Sequence, residues 1–154
     1  MATFEVYGGQ RLEGEITPQG AKNEALQVLC AVLLTEDTVV IRNIPQIRDV
    51  LLLIELLTDL GVDVEPQGSN DYRFQAKHIQ LEVMKTEEFR RKASQLRGSI
   101  MLIGPLLGRF GHATLPRPGG DKIGRRRLDT HFQGLQALGA SFVYNPQDRT
   151  YTLQ

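Results

Sequence analysis

The chain is short of most features that mark a specialised protein class. It has one cysteine, Cys30, so no intrachain disulfide can form and nothing points to an oxidising compartment. Neither sign of charge is in excess, because 18 Lys and Arg face 18 Asp and Glu. A general nucleic-acid or anionic-membrane binder needs surplus cations to displace counterions, which argues against both. No apolar run reaches the ~18 residues of a membrane span. The opening Met1-Ala2-Thr3-Phe4-Glu5 has neither the basic nor the apolar stretch of a secretion signal. There is no Walker loop and no G-x-G-x-x-G. His78, His112 and His131 share no metal-ligand spacing, and no cysteine or carboxylate cluster joins them. The expectation is a cytoplasmic protein of about one domain, using no metal and no cofactor.

What is present is a repeat. An apolar run from Ala25 to Leu34 follows Gly20-Ala21-Lys22-Asn23, and a β-branched run, Thr38-Val39-Val40-Ile41, comes next. A second apolar stretch, Val50 to Leu60, ends at Leu60-Gly61-Val62, and two alternating segments then flank Gly68-Ser69-Asn70-Asp71 like a hairpin. The same order returns downstream: Ser99 to Leu107, His112 to Leu115, Leu128 to Leu138 ending at Leu138-Gly139-Ala140, and a hairpin around Asn145-Pro146-Gln147-Asp148. Each copy reads as helix, strand, helix, hairpin. Further strands are expected at Phe4 to Val6, Leu12 to Ile16 and Ile79 to Val83. Gly61 and Gly139 fit the left-handed position just past a helix end. The first helix of each copy is apolar nearly all round, so a sheet should wrap around it. Pro105 should bend its helix or sit near an end. The run from Val50 to Leu57 is more apolar than an outer helix requires, so a partner surface or a missing domain is expected there. Phe132, Leu135 and Leu138 should face a sheet, with Gln133 and Gln136 opposite.

Three places could carry chemistry. Lys22 and Asn23 stand before the first buried helix, where free peptide N–H groups favour anions. A solvated lysine and an asparagine cap are the plainer reading. Arg97 holds the matching place in the second copy, so two cations at equivalent points could converge on one cleft. The segment Pro116 to His131 carries the extra residues that distinguish the second copy from the first. Its Pro118-Gly119-Gly120-Asp121 core demands unusual backbone angles. One carboxylate, Asp121, stands among Arg117, Lys122, Arg125, Arg126 and Arg127. Arginine forks match phosphate geometry, which suits a diphosphate or phospho-substrate beside a single acid. A solvated basic loop is the alternative. Cys30, on the apolar helix, reads as an inert core residue.

Gly20-Ala21-Lys22-Asn23-Glu24-Ala25-Leu26, Leu60-Gly61-Val62, Arg97-Gly98-Ser99-Ile100 with Gly104-Pro105-Leu106, and above all Pro118-Gly119-Gly120-Asp121-Lys122-Ile123-Gly124-Arg125-Arg126 resemble the UDP-N-acetylglucosamine 1-carboxyvinyltransferase family, in order along the whole chain. The resemblance implies a mixed α/β (α+β) fold, an inside-out barrel of repeated units with sheets wrapped around buried helices, here truncated. Residues 1–21 would be strands of the family's other domain. Residues 22–154 would form about two repeat units, 22–77 and 78–154, without a third unit or the C-terminal domain.

The implied reaction moves enolpyruvyl from phosphoenolpyruvate to the 3-hydroxyl of UDP-N-acetylglucosamine, the first committed step of peptidoglycan synthesis. By resemblance Lys22 and Asn23 contact phosphoenolpyruvate, and Arg97 lies between both substrates. Arg126, Arg127, Leu128, Asp129 and Thr130 hold the UDP-sugar, with Asp129 near the uracil, and Asp121 is the catalytic acid. Most members have cysteine at the place of Asp121, and proline at that of Arg127. The resemblance also implies that these 154 residues alone are inactive, and that apolar surface left open would favour a homodimer. Two other readings remain open: a stand-alone UDP-sugar-binding module or subunit needing a partner chain, and a nucleic-acid binder, which the neutral charge disfavours.

Overall fold

The structure, a computed structural model, describes residues 3–120, 124 and 127–154. Its core is a set of packed helices flanked by two small sheets of identical topology. Helix α1 (Lys22–Ala31) continues as a 3₁₀ turn, Val32–Leu34, and leads into β1 (Thr38–Ile41). Helix α2 (Arg48–Asp59) precedes the hairpin of β2 (Asp63–Pro66) and β3 (Tyr72–Gln75). A linking segment contains the 3₁₀ turn Leu81–Lys85 and α3 (Glu87–Gln95). The second copy starts with a 3₁₀ turn, Arg97–Leu102, running into α4 (Ile103–Phe110), then β4 (Ala113–Pro116), α5 (Asp129–Ala137), β5 (Phe142–Asn145) and β6 (Thr150–Leu153).

Both sheets are antiparallel, with orders β1-β3-β2 and β4-β6-β5. In each the last strand lies in the centre, because it pairs with its hairpin neighbour on one side and with the strand before the helix on the other. Phe74 faces both Val39 and Val64 in register and is fully buried. Gly61 and Gly139 close α2 and α5 with φ of 95° and 100°, a conformation in which any other side chain is strained. Pro105 lies in the first turn of α4, where its missing N–H has no partner to lose.

The structure departs from the sequence reading in several places. Residues 3–20 contain no strand; Phe4, Leu12 and Ile16 are each over 90% exposed. They pair with neither sheet, whose edge strands β1, β2, β4 and β5 each have one ladder partner only. The strand expected at Ile79 to Val83 is replaced by the 3₁₀ turn. That turn puts Leu81 and Met84, three residues apart, on one face, and Met84 is buried. Helix α3 was hidden behind its charges. Thr86 caps it by accepting from the Phe89 N–H at 3.3 Å, Glu87 and Glu88 occupy its first turn, and Phe89, Ala93 and Leu96 enter the core. The apolar excess of α2 is satisfied inside the chain: Val50, Leu53, Leu56, Leu57 and Leu60 are all fully buried, between α1, α3 and the first sheet.

The two copies differ in how well their second helices are covered. Leu60, ending α2, is buried, whereas the corresponding Leu138 is 86% exposed, against the sheet-facing role expected of it. Helix α3 covers α2, and no described helix does the same for α5. The helix is instead anchored by Phe132, whose ring lies 4.5 Å from that of Phe142 and 4.8 Å from that of Tyr151. Helix α1 and the 3₁₀ turn that continues it likewise have an open side, where Val28 and Leu34 are exposed.

Candidate functional site

A cleft of about 840 Å³ opens where several elements begin. Lys22 and Asn23 from α1, Arg48, Asp49 and Leu52 from α2, Arg97 and Met101 from the 3₁₀ turn, and Leu128 and His131 from around the start of α5 all line it. Helix starts present unsatisfied N–H groups and the positive end of the helix dipole. Lys22, Arg48, Arg97 and Arg127 add four full charges, against Asp49 on the same lining. Such a cleft attracts anions.

Local sequence explains the convergence. Helix α1 starts at Lys22 after an extended Ala21 that makes no side-chain cap, so Asn23 is the second helical residue and not the capping one. Gly98 permits close approach of the 3₁₀ turn, since a Cβ there would sit 3.1 Å from a methyl of Leu26. The stem of the Gly-rich loop presses against the same turn. A Cβ on Gly119 would fall 2.0 Å from the Ser94 carbonyl oxygen, and one on Gly120, at φ 92°, 3.1 Å from the Arg97 Cβ. These two glycines therefore bring the loop stem onto Arg97.

Lys22 and Arg97, the cations at matching places of the two copies, do line this one cleft. Lys22 donates to Asp49 at 3.0 Å. Arg127 makes a bidentate pair with Asp129, with Nε 2.9 Å from Oδ1. That hydrogen bond, reinforced by the carboxylate's charge, raises the guanidinium pKa. The Asp129 carboxylate is thus engaged by its neighbour. Thr130 is exposed and belongs to an adjoining apolar groove with Ile103, Phe132 and Leu135, not to the charged cleft. Asp121 and Arg126, with Lys122 and Arg125, lie outside the described residues.

Sequence reasoning missed Arg48 and Asp49. Their signal was available: a charged pair directly before an apolar helical run, as with Lys22-Asn23 before Ala25. Cys30 is buried on α1 and donates to the Leu26 carbonyl at 3.2 Å; burial pushes its thiol up to about 12, so no thiolate forms near neutrality. Among the described residues no three His, Cys, Asp or Glu side chains are grouped to hold a metal, and no helix is long and apolar enough to cross a membrane.

A sequence model of the family described as EPSP synthase (3-phosphoshikimate 1-carboxyvinyltransferase) matches residues 6–154. The chain belongs to the EPSP synthase family. Within it, the chain is 54% identical over 153 residues to the UDP-N-acetylglucosamine 1-carboxyvinyltransferase of Bacteroides fragilis, covering 99% of this chain and 35% of that protein. It is 41% identical over 154 residues to the protein of the same name from Borreliella burgdorferi, covering 100% and 34%. The chain thus spans about a third of the length of these relatives.

Two solved structures share the fold. The enolpyruvyl transferase NikO from Streptomyces tendae superposes with a TM-score of 0.74 at 20% identity, over 96% of this chain and 31% of that one. EPSP synthase from Acinetobacter baumannii gives 0.53 at 13%, over 92% and 32%. The fold is therefore part of the enolpyruvyl transferase architecture expected from the sequence.

Proposed function

We propose that the chain supplies part of the active site of a UDP-N-acetylglucosamine 1-carboxyvinyltransferase, acting in the cytoplasm in peptidoglycan synthesis. The observation that carries this reading is the convergence of Lys22, Asn23 and Arg97 on one cationic cleft, in a chain 54% identical to an enzyme of that name. In this reading Lys22 and Asn23 take the phosphate and carboxylate of phosphoenolpyruvate. Arg97 sits between the two substrates, and Arg126 to Asp129 hold the UDP-sugar. The 3-hydroxyl gives its proton to a base from the rest of the enzyme as its oxygen bonds to C2 of phosphoenolpyruvate, and Asp121 donates a proton to the methylene carbon. The tetrahedral adduct then returns a methyl proton to the Asp121 carboxylate and expels inorganic phosphate, giving the enolpyruvyl ether. Exclusion of water around the acid suits this step, because desolvation keeps a carboxyl protonated until it donates.

Residues 1–21 are assigned to a second domain. The exposed Leu138, Val143 and Tyr144 become contact surface for the rest of the enzyme, or for a second copy when the chain is alone. Sedimentation over a concentration range checks the latter, and a monomer throughout would overturn it.

The direct test is calorimetric titration of the chain with UDP-N-acetylglucosamine, beside Arg126→Ala. Weak binding, lost in the variant, is expected. Binding that survives the variant would refute the sugar-nucleotide assignment. The chain alone should show no turnover, since it spans only part of its relatives.

A further inference from the structure

A second charged cavity, of about 700 Å³, lies behind the loop stem and shares no described lining residue with the cleft. The contact of Gly119 with the Ser94 carbonyl forms its edge. Arg90 and Arg91 enter from α3, Arg117 from the stem, and Arg149 from the β5–β6 turn; among the described residues Glu87 and Asp148 are the only acids lining it. Among the described residues Arg91, Arg117 and Arg149 make no side-chain ion pair or hydrogen bond. Arg90 touches Asp148 at 3.5 Å, yet its Nε is buried with no hydrogen-bond partner. Because that Nε has no accessible surface, an anion in the cavity would be met by the exposed guanidinium groups of Arg91, Arg117 and Arg149.

Two backbone features aim these groups. Arg149 has φ 53°, a left-handed conformation that asparagine or glycine takes with less strain. Its carbonyl accepts from the Arg117 N–H at 2.7 Å, which ties the turn to the stem. Pro116 and Pro118 are both buried and stiffen the wall between them. Arginine therefore occupies a strained turn position beside three other guanidinium groups whose charge is only partly balanced.

We propose that this cavity binds a small phosphate-bearing anion through Arg91, Arg117 and Arg149. Planar forks converging on one concavity match the several oxygens of a phosphoryl group. Among the described residues no aromatic side chain lines the cavity, so it lacks the stacking surface that single-stranded nucleic acid uses.

The test is titration of the isotope-labelled chain with inorganic phosphate and with pyrophosphate at low ionic strength, followed by amide chemical shifts. Saturable shifts at Arg90, Arg91, Arg117, Gly119 and Arg149 are expected, and pyrophosphate should bind about fivefold tighter than phosphate. Arg149→Gly relieves the left-handed strain, so it should melt at a higher temperature without ligand while binding pyrophosphate about fivefold more weakly. Arg91→Gln, at an exposed position, should also weaken binding. Shifts confined to Lys22, Asn23 and Arg97, or unchanged affinity in both variants, would overturn the proposal. Arg117 and Gly119 also line a pocket with Arg127 and Asp129, whereas Arg90, Arg91 and Arg149 line neither that pocket nor the cleft, so the shifts and variants at these three report on this cavity separately from sugar-nucleotide binding.

Discussion

The amino group of Lys22, at the start of α1, lies 3.0 Å from a carboxylate oxygen of Asp49, at the start of α2. Both side chains are near half-exposed, at 44% and 42%, so the pair adds at most about 1 kcal/mol to stability. Its larger effect is on the cleft, where Asp49 occupies a cation that an incoming anion would use. Asp49→Asn should leave the denaturation midpoint nearly unchanged. It should also raise affinity for phosphoenolpyruvate about threefold, with a steeper loss in salt. Titration at two ionic strengths checks this; lower affinity would mean that the carboxylate orients the amine instead of competing for it.

Arg109 joins the two copies. One nitrogen donates to the carbonyls of Leu33, Thr35 and Ala76 at 2.9, 3.2 and 2.8 Å, and the other to Glu36 at 3.2 Å. The Leu33 carbonyl belongs to the turn that ends the first helix, where acceptors lack partners within the helix. Arg109→Met keeps the apolar stem but leaves three carbonyls without this donor, which should cost about 3 kcal/mol in urea unfolding. Arg109→Lys should recover only part of that, since an ammonium cannot reproduce the fork. Equal stability of the methionine variant and the parent would show that water replaces these bonds.

Much of this architecture was legible because apolar periodicity and glycine placement recur in both copies. The hairpins and the left-handed Gly61 and Gly139 follow from local chemistry. Helix α3 was obscured because Arg90-Arg91-Lys92 reads as a solvated run, although Lys92 folds back on Asp59 at 2.7 Å. That bond raises the Lys92 pKa, so its stabilising contribution is complete below the ordinary lysine value and is lost as pH rises through the elevated one. The cleft was half legible. Lys22 and Arg97 were found by matching the copies, whereas Arg48 and Asp49 come from a second helix start whose approach to the first only the packing determines. The Arg127–Asp129 pair is local, two residues apart, yet no periodicity argument encodes it.

Two glycine substitutions should act in opposite directions. Gly119→Ala drives a methyl into the Ser94 carbonyl, at 2.0 Å before relaxation. Moving the loop stem off Arg97 should cost about 2 kcal/mol and weaken anion binding in the cleft. Gly134 lies inside α5, and a Cβ placed on it would meet nothing within 4 Å. Gly134→Ala should therefore gain about 0.5–1 kcal/mol through helix propensity alone. Thermal melts of both variants provide the comparison; a neutral Gly119→Ala would remove the claim that the stem depends on that contact.

Asp121 makes the sharpest chemical prediction for a full-length enzyme carrying this sequence. Fosfomycin inactivates by alkylating a thiolate, and a carboxylate is not alkylated in that way, so activity should persist during incubation with the drug. Asp121→Cys should introduce time-dependent inactivation. An aspartate can donate the proton only if desolvation raises its pKa from the ordinary ~3.9 towards neutrality, against the lowering effect of nearby arginines. A general acid is competent below its pKa, so the rate should fall as pH rises through that raised value. Asp121→Asn should remove this descending limb together with most of the activity. A profile with no group titrating above the ordinary aspartate range would exclude Asp121 as the acid, and inactivation of the unmodified enzyme by fosfomycin would show that some other nucleophile is within reach of the epoxide.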